Sequence, residues 1–93
     1  MEGAALRDAL AELARECGVS VRVLRGGAEG LASGPALVRG APWIVLVASD
    51  PLGAQIAALA AGVVRFAQAA ADARYLPPAL REALDRAVRT AGV

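Results

Sequence analysis

Histidine, lysine and asparagine are absent from this 93-residue chain, and cysteine occurs once, as Cys17. Without histidine, the hydroxyl and thiol groups lack their usual general base, and the commonest metal ligand is missing. A single cysteine excludes an internal disulfide. These absences predict a protein that is not an enzyme, with no catalytic residue, no metal site and no cofactor. Carboxylate or arginine chemistry is the only enzymatic alternative left open.

An excess of either charge is also lacking. Ten arginines face nine acidic residues, and the formal net charge is +1. Because there is no basic run or motif that reads nucleic acid, the electrostatic footprint of nucleic-acid binding is missing. The longest uncharged stretch, residues 51–64, is too short to cross a bilayer. We therefore expect a cytoplasmic protein with neither a nucleic-acid nor a membrane partner.

Alanine is the residue that the chain has in abundance, at about a quarter of all positions. Alanine buries little area per residue, so a stable core depends on the close approach of backbones. Large apolar anchors are few and include Trp43, Phe66 and Tyr75. The chain length fits a single domain over residues 1–93 with one core.

Hydrophobic periodicity predicts three helices and three strands in the order α-β-β-β-α-α. An amphipathic first helix and a glycine that ends it are followed by alternating, then continuous, apolar strands. Ser49 or Asp50 is expected to cap the second helix, with Pro51 in its first turn. The predicted helices cover residues 4–17, 51–71 and 78–90, the strands cover 19–24, 36–39 and 43–48, the glycine-rich loop covers 25–34, and a turn covers 40–42.

These elements predict an α+β fold in which a small antiparallel or mixed three-stranded sheet packs on helices. The strand at residues 43–48 is apolar throughout and rich in β-branched residues. It is therefore expected to be the most buried strand of the sheet.

Small residues recur on the second helix with helical spacing. They form two neighbouring rows, Ala54-Ala58-Gly62 and Gly53-Ala57-Ala61. Small rows permit close helix packing, either within the chain or in a homodimer. We take the intermolecular possibility as a hypothesis and assign an interface to Ala54, Ala58, Gly62, Tyr75 and Leu76.

A ligand pocket is the alternative interpretation. It would lie between the sheet and the glycine-rich loop, where Arg25, Glu29 or Arg39 would supply polar contacts to a small molecule. No G-x-x-x-x-G-K-[ST] motif is present, and the loop leads into a strand, so a flexible connector is the simpler account of the glycines.

The stretch from Ser33 to Phe66 resembles the core of small bacterial zinc peptidases that carry an HExxH motif. The strand letters W-I-V-L and the helix L-A-A-G-V-V-R carry this resemblance. It places Ala61 and Arg65 at the zinc histidines and Gly62 at the general-base glutamate, and none of these side chains can perform those roles. The resemblance therefore implies a zincin-like scaffold without its metal. The segments Ser33–Gly40 and Tyr75–Leu84 also resemble short bacterial proteins.

The sequence thus predicts a non-catalytic protein-interaction or regulatory module that associates with itself or with another protein, most simply as a homo-oligomer. The alternative is the small-molecule binding domain described above.

Overall fold

A computed structural model describes residues 1–25 and 30–91 and confirms the predicted α+β class and element order. The elements are α1 (Gly3–Glu16), β1 (Ser20–Leu24), β2 (Gly34–Val38), β3 (Ala41–Val47), α2 (Leu52–Asp72) and α3 (Pro78–Ala91).

The sheet is mixed, with β3 in the centre and the strand order β1-β3-β2. β1 runs parallel to β3, from the pair Ser20–Trp43 to the pair Leu24–Val47. β2 runs antiparallel to β3 and pairs Val38 with Ala41 beside the turn. Of the two sheet types that the sequence predicts, the mixed one is therefore correct.

The turn between β2 and β3 lies one residue earlier than predicted. The sequence pattern places it at residues 40–42, but Ala41 and Pro42 already belong to β3. The turn residues are Arg39 and Gly40, with φ angles of 52° and 79°. Two positive φ angles are the signature of a type I′ turn, whose twist matches that of the flanking strands. An arginine at the first turn position hides this signal in the sequence.

β2 is an edge strand that contains a proline, Pro35. In a two-residue hairpin the pair next to the turn exchanges hydrogen bonds, and the pairs then alternate along the ladder. Pro35 pairs with Ile44 at a non-hydrogen-bonded position. Its missing amide hydrogen therefore falls on the open side of the strand, where the ladder with β3 loses nothing.

The core lies on one face of the sheet. Ile44 and Leu46 of β3 are buried there, together with Leu10 of α1 and Leu59 and Val63 of α2. α1 and α2 pack against the sheet, whereas α3 contacts only the two other helices. The molecule is therefore layered, with the sheet below, α1 and α2 in the middle, and α3 outermost.

The start of α2 differs from the predicted capping. Pro51 occupies the N-cap position, and no side chain caps the helix. The Asp50 carboxylate instead accepts hydrogen bonds from Ser33, and Ser49 is exposed. Predicted capping by Ser49 or Asp50 is therefore wrong, because Asp50 has a competing partner 17 residues away in the chain.

α2 is long and interrupted. Its 21 residues include Ala67, whose φ of −147° and ψ of 27° are not helical. Among the described residues, α2 is also the one helix with the length and mean hydropathy, 1.3, to cross a membrane, although 44% of the tested stretch is buried within the protein. A core helix of a soluble protein meets the same two criteria.

Candidate functional site

An open apolar groove of about 590 Å³ lies between α2 and α3, next to the start of α1. Its size is within the range of binding clefts. Small residues dominate both walls because each helix places an i,i+4 row toward the opening. The α2 wall carries Gly53, Ala57 and Ala61, and the α3 wall carries Ala79, Ala83 and Ala87. We call this feature the alanine groove.

Ile56 and Ala60 line the groove between the two rows, and Leu6 contributes from α1. Glu82 and Arg86 are the only charged side chains among the lining residues, and both are about 70% exposed. Arg86 donates a hydrogen bond of 3.2 Å to Glu82 within α3. The groove is therefore an apolar channel with one acid and one base on its α3 wall.

Two of the α2 residues that the sequence prediction assigned to an interface lie in the core. Ala58 and Gly62 are buried, and a Cβ on Gly62 would collide with the Ile44 side chain. These two residues therefore pack the helix on the sheet and are not available to a second molecule, which corrects their assignment to an interface. Ala54 is exposed near the start of α2 but does not line the alanine groove.

The other predicted interface residues lie at the opposite end of α2. Tyr75 follows the helix and is 92% exposed, the highest value among the large apolar side chains described. Leu76 is half-buried and packs against the core. The adjacent Arg74 forms an ion pair of 2.7 Å with Glu16 at the end of α1. The segment is thus anchored, while the Tyr75 ring itself points away from the protein.

A second apolar surface is the outer face of the sheet. Trp43 and Val45 alternate with the buried Ile44 and Leu46, so they point to the opposite face. The registers place Ser20 and Ala36 beside Trp43 on that face. Both Trp43 and Val45 are only half-buried. Within residues 1–25 and 30–91, all three helices lie on the other side.

A polar cluster ties the loop before β2 to the end of β3. The Ser33 hydroxyl donates to the Asp50 carboxylate at 2.7 Å and accepts from the Val47 amide at 2.9 Å. The Ser33 amide donates to the same carboxylate oxygen at 3.0 Å. We call this cluster the Ser33–Asp50 clamp.

The side-chain hydrogen bond from Ser33, followed by its backbone hydrogen bond, lowers the pKa of Asp50 below its ordinary value of 3.8. Burial of the carboxyl acts weakly in the opposite direction. A carboxylate held in its ionised form by two donors is a structural anchor. The Ser33 hydroxyl therefore donates a hydrogen bond to an ionised carboxylate, in a chain without histidine or lysine.

The structure separates the predicted ligand residues. Arg25 follows β1 and lines a groove of about 500 Å³ with Arg7 and Arg15 of α1. Arg39 lies in the turn at the other end of the sheet. About eight residues of strand, or more than about 20 Å, separate the two levels. Arg25 and Arg39 therefore lie too far apart to contact one small ligand together, and the pocket predicted from the sequence can contain only one of them. Glu29 lies outside the described residues.

Arginines and carboxylates alternate in the groove beside Arg25. Arg7 forms an ion pair of 3.0 Å with Asp8, and Arg15 lies 4.0 Å from Glu12. We call this feature the charged groove. Cys17 is half-buried at the end of α1 and packs against the core. Among the residues that the structure describes, no three acidic or cysteine side chains gather in a way that could hold a metal ion.

The positions that the zinc-peptidase resemblance points to are divided among different environments. Ala61 lines the alanine groove, whereas Gly62 packs on the sheet. Arg65 is exposed, and its guanidinium lies 5.1 Å from the centre of the Phe66 ring. The zincin-like resemblance stays a prediction.

The α3 wall of the alanine groove was missed by the sequence reasoning. Its signal is present in the spacing of Ala79, Ala83 and Ala87, which repeats the i,i+4 spacing of the α2 row.

Comparison of the chain with known proteins gives no match to a family model, a curated protein or a solved structure.

Proposed function

We propose that this chain is a non-catalytic interaction module of the cytoplasm that associates with a second copy of itself through the alanine groove. The single observation that carries the proposal is the groove itself, an open apolar channel whose walls are two rows of small residues. Burying such surface is favourable at roughly 25 cal/mol per Å² of apolar area.

Small side chains make the groove suitable for a helix rather than for a compact ligand. Rows of glycine and alanine allow helix axes to approach closely, and i,i+4 rows are the ridges that interlock in the commonest class of helix packing. The self-associating module is thus supported by surface shape, while its regulatory role is a proposal that rests on the missing catalytic residues.

The test is the mass of the protein in solution. Sedimentation equilibrium at micromolar concentrations is expected to give about twice the monomer mass of 9.4 kDa. Ala57→Arg places a charge in the groove wall and is expected to give the monomer mass. Ala70→Arg is the matched control, because Ala70 is exposed on the same helix but outside the groove. A monomeric wild type throughout the micromolar range would refute the proposal.

A second candidate is the binding of a small anion in the charged groove. The observation in its favour is that Arg7, Arg15 and Arg25 line one depression. Thermal unfolding in the presence of inorganic phosphate and citrate tests it. An increase in Tm that Arg25→Gln abolishes would support this candidate, whereas an unchanged Tm up to ~10 mM anion would contradict it.

A further inference from the structure

We propose that the two copies close the alanine groove around a two-fold axis, forming a four-helix bundle in which the α3 helices run antiparallel and Glu82 of each copy faces Arg86 of the other. This inference rests on the proposed self-association and adds its geometry and specificity. The outer sheet face and the charged groove are not part of it.

The two walls of the alanine groove have the same surface pattern. Both are rows of small residues with i,i+4 spacing, one on α2 and one on α3. Rows of small residues with this spacing form ridges that interlock where two helices pack on each other. In a two-fold dimer the same patch occurs on both copies, so the α3 row of each copy meets the α3 row of the other, and the α2 rows meet likewise. One axis then covers both walls of both grooves.

The charges beside the groove favour a second copy of this chain as the partner. Glu82 and Arg86 are the only charged side chains among the described residues that line the groove, and they carry opposite signs one helical turn apart. A uniformly acidic or basic partner would attract one of them and repel the other. Under a two-fold axis with antiparallel α3 helices, Glu82 of one copy meets Arg86 of the second copy twice. The rim is therefore self-complementary, which favours a second copy of this chain over a partner of a single charge sign.

The area of the paired helix faces sets the expected strength of the dimer. The 14 residues of α3 span about 21 Å, and two packed helices are about 18–20 Å wide. The paired faces therefore cover about 400 Å² in projection per copy, roughly half the ~800 Å² per partner of a standard interface and typical of weak, transient complexes. A dimer of this size dissociates on dilution, so the experiment needs a concentration series in the micromolar range.

The test uses two single charge reversals, Glu82→Arg and Arg86→Glu, in the full chain. Each homodimer would then bring two pairs of like charges together, and association is expected to weaken about tenfold or more. An equimolar mixture pairs an all-basic rim with an all-acidic rim. Sedimentation equilibrium of the mixture is expected to show heterodimers with near wild-type affinity.

Asp85→Arg and Arg89→Glu provide the matched control. These residues have the same spacing on the same helix and are exposed, but they do not line the groove. Each control variant is expected to dimerise like the wild type. Circular dichroism at the same concentrations confirms that every variant retains its helices, because surface charge changes have little effect on folding.

The outcomes separate this geometry from the proposed function. A dimeric wild type whose affinity neither charge reversal changes would overturn the bundle but leave self-association standing. Single variants that weaken the dimer and fail to recover on mixing would overturn the antiparallel arrangement. A wild type that stays monomeric throughout the micromolar range would remove the proposed function and this inference together.

Discussion

The two faces of α2 carry the same kind of sequence and have opposite environments. One small row, with Ala58 and Gly62, is closed against the sheet, and Ile44 fills the space above Gly62. The neighbouring row, with Gly53 and Ala57, opens onto the alanine groove, where a Cβ on Gly53 would meet nothing within 4 Å. A row of small residues in the sequence therefore indicates close packing, but it does not indicate whether the packing partner belongs to the same chain.

Gly62→Leu, on the closed face of α2, is expected to have the largest effect on the free energy of unfolding. The new side chain would collide with Ile44 at the tightest approach of helix and sheet, so the free energy of unfolding is expected to fall by about 3 kcal/mol or more. Urea unfolding followed by circular dichroism measures it. Gly53→Leu is the matched control on the open face and is expected to cause no loss.

A milder variant keeps this test usable if Gly62→Leu does not fold. Gly62→Ala gains helix propensity but still overpacks Ile44. Its cost is therefore expected to shrink in an Ile44→Ala background, where the space is free. Equal costs in both backgrounds would show that Ile44 does not set the closeness of the helix to the sheet.

Ser33→Ala is expected to have the second largest effect on the free energy of unfolding. It removes hydrogen bonds at the end of β3, close to the start of α2. It leaves the Val47 amide without its hydroxyl acceptor, and we expect the free energy of unfolding to fall by about 1 kcal/mol. Chemical unfolding is again the measurement. Ser49→Ala, at an exposed position one residue before Asp50, should be neutral. Equal effects of the two substitutions would argue against the clamp.

A small gain is expected from Gly53→Ala on the open face. The helix loses a flexible residue and no atom obstructs the new methyl group, so the free energy of unfolding should rise by about 0.5 kcal/mol. The measurement belongs at a dilution where the wild type is monomeric. A loss of stability there would mean that the space beside Gly53 is already filled in the monomer.

The pH dependence of the clamp gives the finest test. Because folding lowers the pKa of Asp50, its contribution is present above the ordinary value of 3.8 and is lost as pH falls through the lower folded value. The difference in unfolding free energy between wild type and Asp50→Asn should be constant above about pH 5 and shrink below about pH 4. A difference that stays constant down to pH 2 would contradict the assigned hydrogen bonds.

The fold was predictable because its signals are local. Alternation in β1, the continuous apolar run of β3 and the helical stripe of α1 each reflect which residues face the core. The parallel pairing of β1 with β3 was left open, since strand direction depends on contacts distant in sequence. The turn and the helix cap were misplaced for two different reasons. Arg39 adopts a conformation typical of glycine, and Asp50 finds its partner in Ser33.

The candidate site was less predictable than the fold. Both rows of α2 were visible in the sequence, but only the position of Ile44 shows which row is covered. The α3 wall depends on the angle at which two helices meet, which spacing alone does not give. Arg25 and Arg39 were assigned to one predicted pocket beside the glycine-rich loop, whereas the sheet places them at its opposite ends.

Pro35 has a consequence for the behaviour of this protein at high concentration. An edge strand with a full set of free amide donors is a template for further strands and so for fibrous aggregation. The proline on the open side of β2 removes one of those donors and interrupts any added ladder. Growth of the sheet from molecule to molecule is therefore disfavoured at this edge, even at high protein concentration.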